Sequence, residues 1–164
     1  MQTVMLRRIR RIFLVVAWAV TVLLTVVALP AFAEGDRVIA VPELHAMTPE
    51  ARDEADLMTS ALRVRFQALP SLRLVDRPVP LVDPDRPDIL LPKFEQLRDL
   101  HFDLVLVGNA AVLSDGRHKV SLRIWNVEKR QQLVGQQYVF NAHQGYDEEI
   151  ADQVRDALMA ALSQ

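Results

Sequence analysis

The sequence contains no cysteine, which excludes a disulfide framework, a thiolate metal site, a cysteine nucleophile and a lipid-modified amino-terminal cysteine. Glycine is also scarce, with five residues in 164, too few for a glycine-rich loop that binds phosphate. Hydrophobic residues make up 51% of the chain and charged residues 24%, a composition too apolar for a disordered protein. Because the length suits one domain, we expect a single ordered domain without cysteine or phosphate-loop chemistry.

The amino terminus lacks acidic residues before Glu34 and carries four arginines in its first eleven positions. An uncharged apolar run, Ile12–Leu29, follows and ends at Pro30. Ala31 and Ala33 are the small residues that signal peptidase requires, so the pattern predicts a secretory signal with cleavage after the second of them. The alternative is an uncleaved anchor, because about 18 apolar residues can just span a bilayer.

Removing the predicted signal peptide, residues 1–33, leaves a domain over residues 34–164. The loss of four arginines lowers the number of basic residues from 19 to 15 against 21 acidic ones, a net charge of −6. An acidic domain is a poor partner for nucleic acid or anionic lipid, which bind basic surfaces. We therefore expect no nucleic-acid partner, and contact with a membrane only through an uncleaved amino-terminal segment.

The hydrophobic pattern after residue 34 predicts an α/β fold with β-α-β-α-β-β-β-α connectivity, preceded by the signal helix. Right-handed crossovers followed by two hairpins place the five strands in the order 2-1-3-4-5, with strand 4 antiparallel. Strands that are apolar on both faces indicate helices on both sides of this mixed sheet, giving three layers. Five prolines in residues 77–92 predict an extended surface loop. The main predicted elements are strands Arg37–Leu44, Leu72–Asp76, Asp103–Leu113 and Leu133–Asn141, a strand through Val120, Leu122 and Ile124, and a final helix Tyr146–Leu162.

Several short motifs occur in an order that is similar to a known family. They are Arg37-Val-Ile-Ala-Val-Pro42, Ala55-Asp-Leu57, Leu74-Val-Asp76, Phe102–Gly108, Ser114-Asp-Gly116, Val120–Asn126, Leu133-Val-Gly135 and Ile150-Ala-Asp152. Together they resemble the amino-terminal, non-propeller domain of the Tol–Pal system protein TolB, over about residues 36–162. The resemblance implies an α/β domain in a cell-envelope setting.

The sequence also departs from this family. TolB proteins continue into a β-propeller that binds the peptidoglycan-associated lipoprotein, whereas this chain ends at Gln164, so we expect a stand-alone TolB-like domain. The family's TolA-binding segment ahead of the first strand would be reduced to Glu34-Gly-Asp36. Glu148 stands where the family has a histidine before its closing-helix aspartate. The partner sites of TolB are therefore not carried over to this chain.

Candidate catalytic and metal-binding residues do not combine into a known pattern. Asp83, Asp85 and Asp88 lack the glycine and later glutamate of a calcium loop, and prolines separate them. His101 and Asp103 have no further ligand nearby in sequence, and no Gly-x-Ser-x-Gly motif is present. We therefore expect no catalytic residue, no bound metal and no cofactor.

The remaining candidate function is protein recognition by the last strand. Its outer edge carries free main-chain groups that could accept an added strand, and Gln136 and Gln137 lie near its middle. Trp125 and Tyr138 are the aromatic candidates for a partner contact. The pattern places Trp125 either beneath the last helix or exposed beside Tyr138.

The sequence thus predicts a periplasmic, non-enzymatic protein-interaction module, TolB-like and related to the Tol–Pal envelope system. Its expected partners are envelope proteins, including Tol–Pal components. One alternative is an inner-membrane-anchored subunit of another envelope assembly that faces the periplasm. A second is a small envelope ligand-binding domain or hydrolase that uses residues 77–92 as a lid.

Overall fold

The computed structural model of the chain describes residues 36–75, 90–141, 143 and 145–163. The predicted signal peptide, its cleavage residues Ala31 and Ala33, and residues 76–89 of the proline-rich segment lie outside the described residues. Asp83, Asp85 and Asp88, which we expect not to form a calcium loop, lie outside them as well.

Within the described residues the chain forms six strands and three α-helices. The strands are β1 Arg37–Ala40, β2 His45–Ala46, β3 Leu72–Val75, β4 Leu104–Val112, β5 His118–Asn126 and β6 Gln131–Phe140. The helices are α1 Arg52–Gln67, α2 Phe94–Asp99 and α3 Tyr146–Leu162, with a 3₁₀ turn at Pro49–Ala51 ahead of α1. No helix in this part of the chain is long and apolar enough to cross a membrane.

The strands form one mixed sheet in the order β3-β1-β4-β5-β6. β1 is parallel to both β3 and β4, whereas β5 is antiparallel to β4 and β6. This confirms the predicted α/β class, the 2-1-3-4-5 order of the main strands and the antiparallel fourth strand.

The first predicted strand differs from the observed one. It ends at Ala40 rather than Leu44, and the chain pairs again with β4 through the two-residue strand β2, where His45 lies opposite Asn109. Pro42 lies between the two strands and has no N–H to donate to a ladder. The observed strand therefore covers only the first half of the predicted one, and the second pairing with β4 begins at His45, just after the predicted strand ends.

One face of the sheet is covered by the two long helices, α1 and α3. The apolar residues of α1 recur every three or four positions, which places them on a single side of the helix. Arg65 of α1 and Asp152 of α3 are joined at 2.8 Å, and this contact links the two helices at the surface. Fully buried side chains of this packed face include Ile39, Met58, Leu62, Phe66, Leu106, Leu122, Ile124, Val154 and Leu158.

The opposite face is only half covered among the described residues. The six-residue helix α2 and the chain at Leu90 pack on the end of the sheet where β4 begins. Their cluster includes Ala40, Leu90, Leu97, Phe102, Val105, Val107 and Val127. The fold has three layers as predicted, but the α2 layer is much smaller than the α1–α3 layer.

The pairing of β5 with β6 contains one bulge, and it does not lie at Gly135. Gly135 pairs regularly with Arg123, and the register shifts between Ile124 and Trp125, which lie opposite Val134 and Gln132. Leu133 is therefore the extra residue in β6. Gly135 serves a different purpose, because a Cβ atom at this position would collide with the Gln132 side chain.

Candidate functional site

The candidate site is the outer edge of β6, the last strand of the sheet. β6 is ten residues long and contains no charged side chain. The strand at the other edge, β3, is four residues long and includes Arg73. Long uncharged edge strands readily accept a further strand, whereas short or charged ones resist it. Of the two edges, β6 is thus the better template for strand addition.

Hydrogen bonds at both ends of the β4–β5 pair fix which main-chain groups point outward. The N–H of Leu113 donates to the carbonyl of Arg117 at 2.7 Å, and the N–H of Val127 donates to the carbonyl of Asp103 at 2.9 Å. In an antiparallel pair, alternate residues direct both main-chain groups to the same neighbouring strand. The odd-numbered residues of β5 therefore bond to β4, and the even-numbered ones bond to β6.

This alternation assigns the main-chain groups of β6. Gln136 pairs with Leu122 and Tyr138 pairs with Val120, so both β6 residues bond inward to β5. The residues that alternate with these two direct their N–H and C=O groups away from β5. They are Gly135, Gln137 and Val139.

The two predicted glutamines consequently have different roles. Gln137 is exposed and presents its main chain to the free edge, while Gln136 is partly buried and belongs to the ladder with β5. The side chain of Gln136 also accepts a hydrogen bond from the hydroxyl of Tyr138. Of the pair, only Gln137 is positioned to hydrogen-bond an added strand through its main chain.

The two predicted aromatic contacts lie on opposite faces of the sheet. Tyr138 is partly buried against the packed face, and burial raises the pKa of its phenol. Trp125 lies on the other face, where its indole N–H donates to the carbonyl of Leu90 at 3.2 Å and its ring meets Phe94 edge-on at 5.6 Å. Trp125 is therefore covered, but by α2 and Leu90 instead of the last helix, and it does not lie beside Tyr138.

Beyond Trp125, the half-covered face forms a groove of about 470 Å³. Lys119, Ser121 and Arg123 of β5 supply its floor, since alternate residues of a strand point to the same face. Gln132 and Gln137 of β6 line its outer side. The described residues that line this groove include two cationic side chains and no carboxylate.

His101 and Asp103, considered above as a metal or acid–base pair, have separate structural roles. His101 follows α2 with a φ of 60° and is exposed. The Asp103 carboxylate accepts a hydrogen bond from the N–H of Val38 at 2.7 Å, which joins β1 to the loop before β4. Within the described ranges, no three His, Cys, Asp or Glu side chains gather as a metal site.

One polar pair was missed by sequence reasoning. Glu54 of α1 is 4% exposed, and its Oε2 contacts Nδ1 of His118, which lies 64 residues later on β5. Its Oε1 has no hydrogen-bond partner among the described residues. The position of Glu54 directly before the buried Ala55 was the available signal, because a carboxylate beside an apolar stripe needs a partner.

Aromatic side chains lie next to this pair. The rings of Phe140 and Tyr146 are 4.8 Å apart, and Phe140 also stacks on His118 at 6.0 Å. Burial raises the pKa of Tyr146 to about 12, and the negative charges of Glu54 and Asp147 add to this shift. The cluster joins α1, β5, β6 and the start of α3, so it fixes the position of the last strand against the packed face.

This sheet order, with two long helices on one face, defines a TolB-like α/β fold. The chain resembles TolB from Acinetobacter baumannii with a TM-score of 0.55 and 14% sequence identity, over 79% of this chain and 28% of that chain. It therefore spans little more than a quarter of the length of that protein. The predicted resemblance is confirmed at the level of the fold.

Two other solved structures are more distantly similar. Lipoprotein GNA1162 from Neisseria meningitidis matches with a TM-score of 0.48 and 8% identity, over 79% of this chain and 97% of that chain. The LpoB C-terminal domain from Escherichia coli matches with a TM-score of 0.46 and 13% identity, over 65% and 84% of the respective chains. No protein-family model and no curated protein matches the sequence.

Proposed function

We propose that this chain is a periplasmic, non-enzymatic protein-interaction module of the cell envelope, related to the Tol–Pal system, that binds a partner strand along β6. The observation that carries the proposal is the outer edge of β6, with which no other strand of the described residues pairs. This edge presents outward N–H and C=O groups at Gly135, Gln137 and Val139, in a strand without charged side chains. Such an edge supplies affinity through main-chain hydrogen bonds to an extended peptide.

The proposed location rests on the sequence of the amino terminus. Four arginines, the apolar run Ile12–Leu29 and the small residues Ala31 and Ala33 form the pattern of an export signal. The TolB-like fold of residues 36–163 agrees with this setting. The mature protein would begin at Glu34 in the periplasm, and recovery of the uncleaved chain in the inner membrane would instead support the anchored alternative.

Strand addition also explains how an acidic domain can bind protein. With a net charge of −6 over residues 34–164, the domain as a whole gains little from attraction to anionic polymers. Main-chain pairing along β6 does not depend on net charge, so affinity can come from shape and hydrogen bonding. The proposed partners are envelope proteins with an extended segment, Tol–Pal components among them.

The test is a proline substitution on the free edge. Gln137→Pro removes an outward N–H donor, and proline is tolerated on edge strands, so the domain should fold and lose its partner. Gln137→Ala is the matched control, because it removes the same side chain and keeps the N–H. Gln136→Pro instead removes a hydrogen bond to β5 and should destabilise the domain.

Partner binding is measured by photocrosslinking in cells that export the full-length chain. A photoreactive amino acid at Val139, which is 42% exposed at the edge, should capture a partner in the wild-type and Gln137→Ala backgrounds. Capture should disappear in the Gln137→Pro background and persist with Ser114→Ala on the opposite hairpin turn. If folded Gln137→Pro protein keeps every crosslink, the β6 edge is not the binding site.

A further inference from the structure

We propose that the partner strand bound at β6 carries acidic side chains four residues apart, on the face that continues the groove floor, where Lys119 and Arg123 select them. This inference rests on the proposed function, because it names the side chains that an added strand would bring. It concerns the groove beside the edge, which main-chain pairing alone does not use.

The groove is positively charged along its described lining. Lys119 and Arg123 lie on its floor, and no carboxylate lines it in the described parts of the chain. Neither cation forms an ion pair within those residues, whereas Arg65, Arg117 and Arg155 each contact an aspartate. The described part of the groove is therefore a cationic patch, and its two cationic side chains have no ion-pair partner among the described residues. The domain as a whole has a net charge of −6.

The side chains of Lys119 and Arg123 are long enough to reach a strand added at β6. Neighbouring strands lie about 4.8 Å apart, so a strand added to β6 would run roughly 10 Å from β5. A long cationic side chain and a glutamate can bridge that distance across one intervening strand. Arg123 lies opposite Gly135, which has no side chain, and the Gln132 amide occupies the space that a Cβ atom at Gly135 would take.

The spacing of Lys119 and Arg123 along β5 determines which acidic residues of an added strand they can contact. Lys119 and Arg123 are four residues apart on one face of β5, a separation of about 13 Å along the strand. An added strand has the same pleat, so acids at positions i and i+4 meet both cations. The residue at i+2 would lie near Ser121 and Gln137, whose hydroxyl and amide groups suit a small polar side chain such as threonine.

The experiment uses isotope-labelled protein, purified after export of the full-length chain, and two synthetic peptides of opposite charge. The acidic peptide contains Glu-Val-Thr-Val-Glu flanked by threonine and blocked at both ends, and the basic one has lysine at both glutamate positions. A third peptide with the glutamates three residues apart places them on opposite faces and is the spacing control. Binding is followed through the amide signals of Gly135, Gln137 and Val139.

The acidic peptide should shift these amide signals and bind more tightly than both the basic peptide and the spacing control. The double variant Lys119→Ala, Arg123→Ala should bind the acidic peptide about fivefold to tenfold more weakly, as expected for the loss of two partly exposed ion pairs. Charge reversal by Lys119→Glu with Arg123→Glu should make the basic peptide the better ligand. Added salt should weaken the binding of the acidic peptide to the wild-type protein.

Three results would overturn the inference and leave the proposed function to be judged by the crosslinking test. The first is equal binding of the acidic and basic peptides, both lost with Gln137→Pro, which would show strand addition without charge selection. The second is the absence of amide shifts with every peptide. The third is sedimentation of the wild-type chain with phosphatidylglycerol vesicles, lost in the double alanine variant, which would assign the cations to a lipid surface.

Discussion

The two faces of the sheet differ in what covers them and in what they can do. Helices of 16 and 17 residues cover one face, and their apolar stripes bury most of the core. A six-residue helix covers part of the other face, beside a polar groove that continues to the free edge of β6. Most of the buried core therefore lies on the packed face, whereas the described residues of the other face present polar side chains along the groove.

The largest difference between the faces should appear on removing a core side chain. Leu106 is fully buried on the packed face of β4. Leu106→Ala should lower the free energy of unfolding by about 2–5 kcal/mol, because it removes apolar contacts and leaves a cavity. Chemical denaturation measures this change. If Leu106→Ala lowers the free energy of unfolding less than Trp125→Phe or Ser121→Ala does, the packed face does not contribute more to stability than the half-covered face.

A smaller effect is expected where α2 meets the sheet. Trp125→Phe keeps an aromatic ring in place but removes the N–H that donates to Leu90. The expected cost is about 0.5–1.5 kcal/mol, the net value of one hydrogen bond. The same denaturation experiment measures it. A loss as large as that of Leu106→Ala would show that the half-covered face is packed as tightly as the other.

Alkaline titration should detect the buried environment of Tyr146. Its pKa is raised to about 12, so the folded state favours the neutral phenol. The stabilising contribution is fully present below the ordinary tyrosine pKa of about 10 and is lost as the pH rises toward the raised value. Tyr146→Phe should remove this alkaline decline in stability.

The measurement is spectrophotometric, because the sequence has only two tyrosines. In a Tyr138→Phe variant, phenolate absorbance reports Tyr146 alone and should develop well above pH 10. Ionisation of that single phenol near its ordinary pKa, in protein that is still folded, would contradict the burial of the Glu54 and Tyr146 cluster.

The smallest effect should occur on the groove floor. Ser121→Ala replaces a partly exposed hydroxyl on the half-covered face of β5 and should change the free energy of unfolding by no more than about 0.5 kcal/mol. Thermal unfolding of the two proteins side by side checks this. A large loss of stability would mean that the groove floor supports the fold and does not serve as a free surface.

Local sequence patterns were sufficient for much of the fold. The predicted helix Tyr146–Leu162 has the observed bounds, because its apolar residues repeat with a helical period along its whole length. β5 was identified by the alternation of Val120, Leu122 and Ile124, all fully buried. The strand order followed from connection rules that hold for most α/β proteins. These features depend on residues that are close in sequence.

The errors arose where local patterns were compatible with more than one arrangement. The Arg37–Leu44 run contains Pro42, and only its first four residues form a strand, while the next pairing with β4 begins beyond the run at His45. A glycine within a strand is compatible with a bulge or with the close approach of another group, and Gly135 lies next to the side chain of Gln132. Trp125 was expected either beneath the last helix or exposed beside Tyr138, but the groups that contact its ring come from a chain segment about 30 residues earlier, at Leu90 and Phe94.

Composition and periodicity alone predicted a cysteine-free α/β domain whose last long strand lies at a sheet edge, and both the fold class and the edge position are observed. They could not establish which residues of that strand point outward, because the alternation of hydrogen bonds is set by the pairing of β5 with β4. Nor could they bring Glu54 to His118, or place Lys119 opposite Val139 and Arg123 opposite Gly135. Those contacts join residues far apart in the chain, and only the packing of helices and strands decides which distant side chains meet.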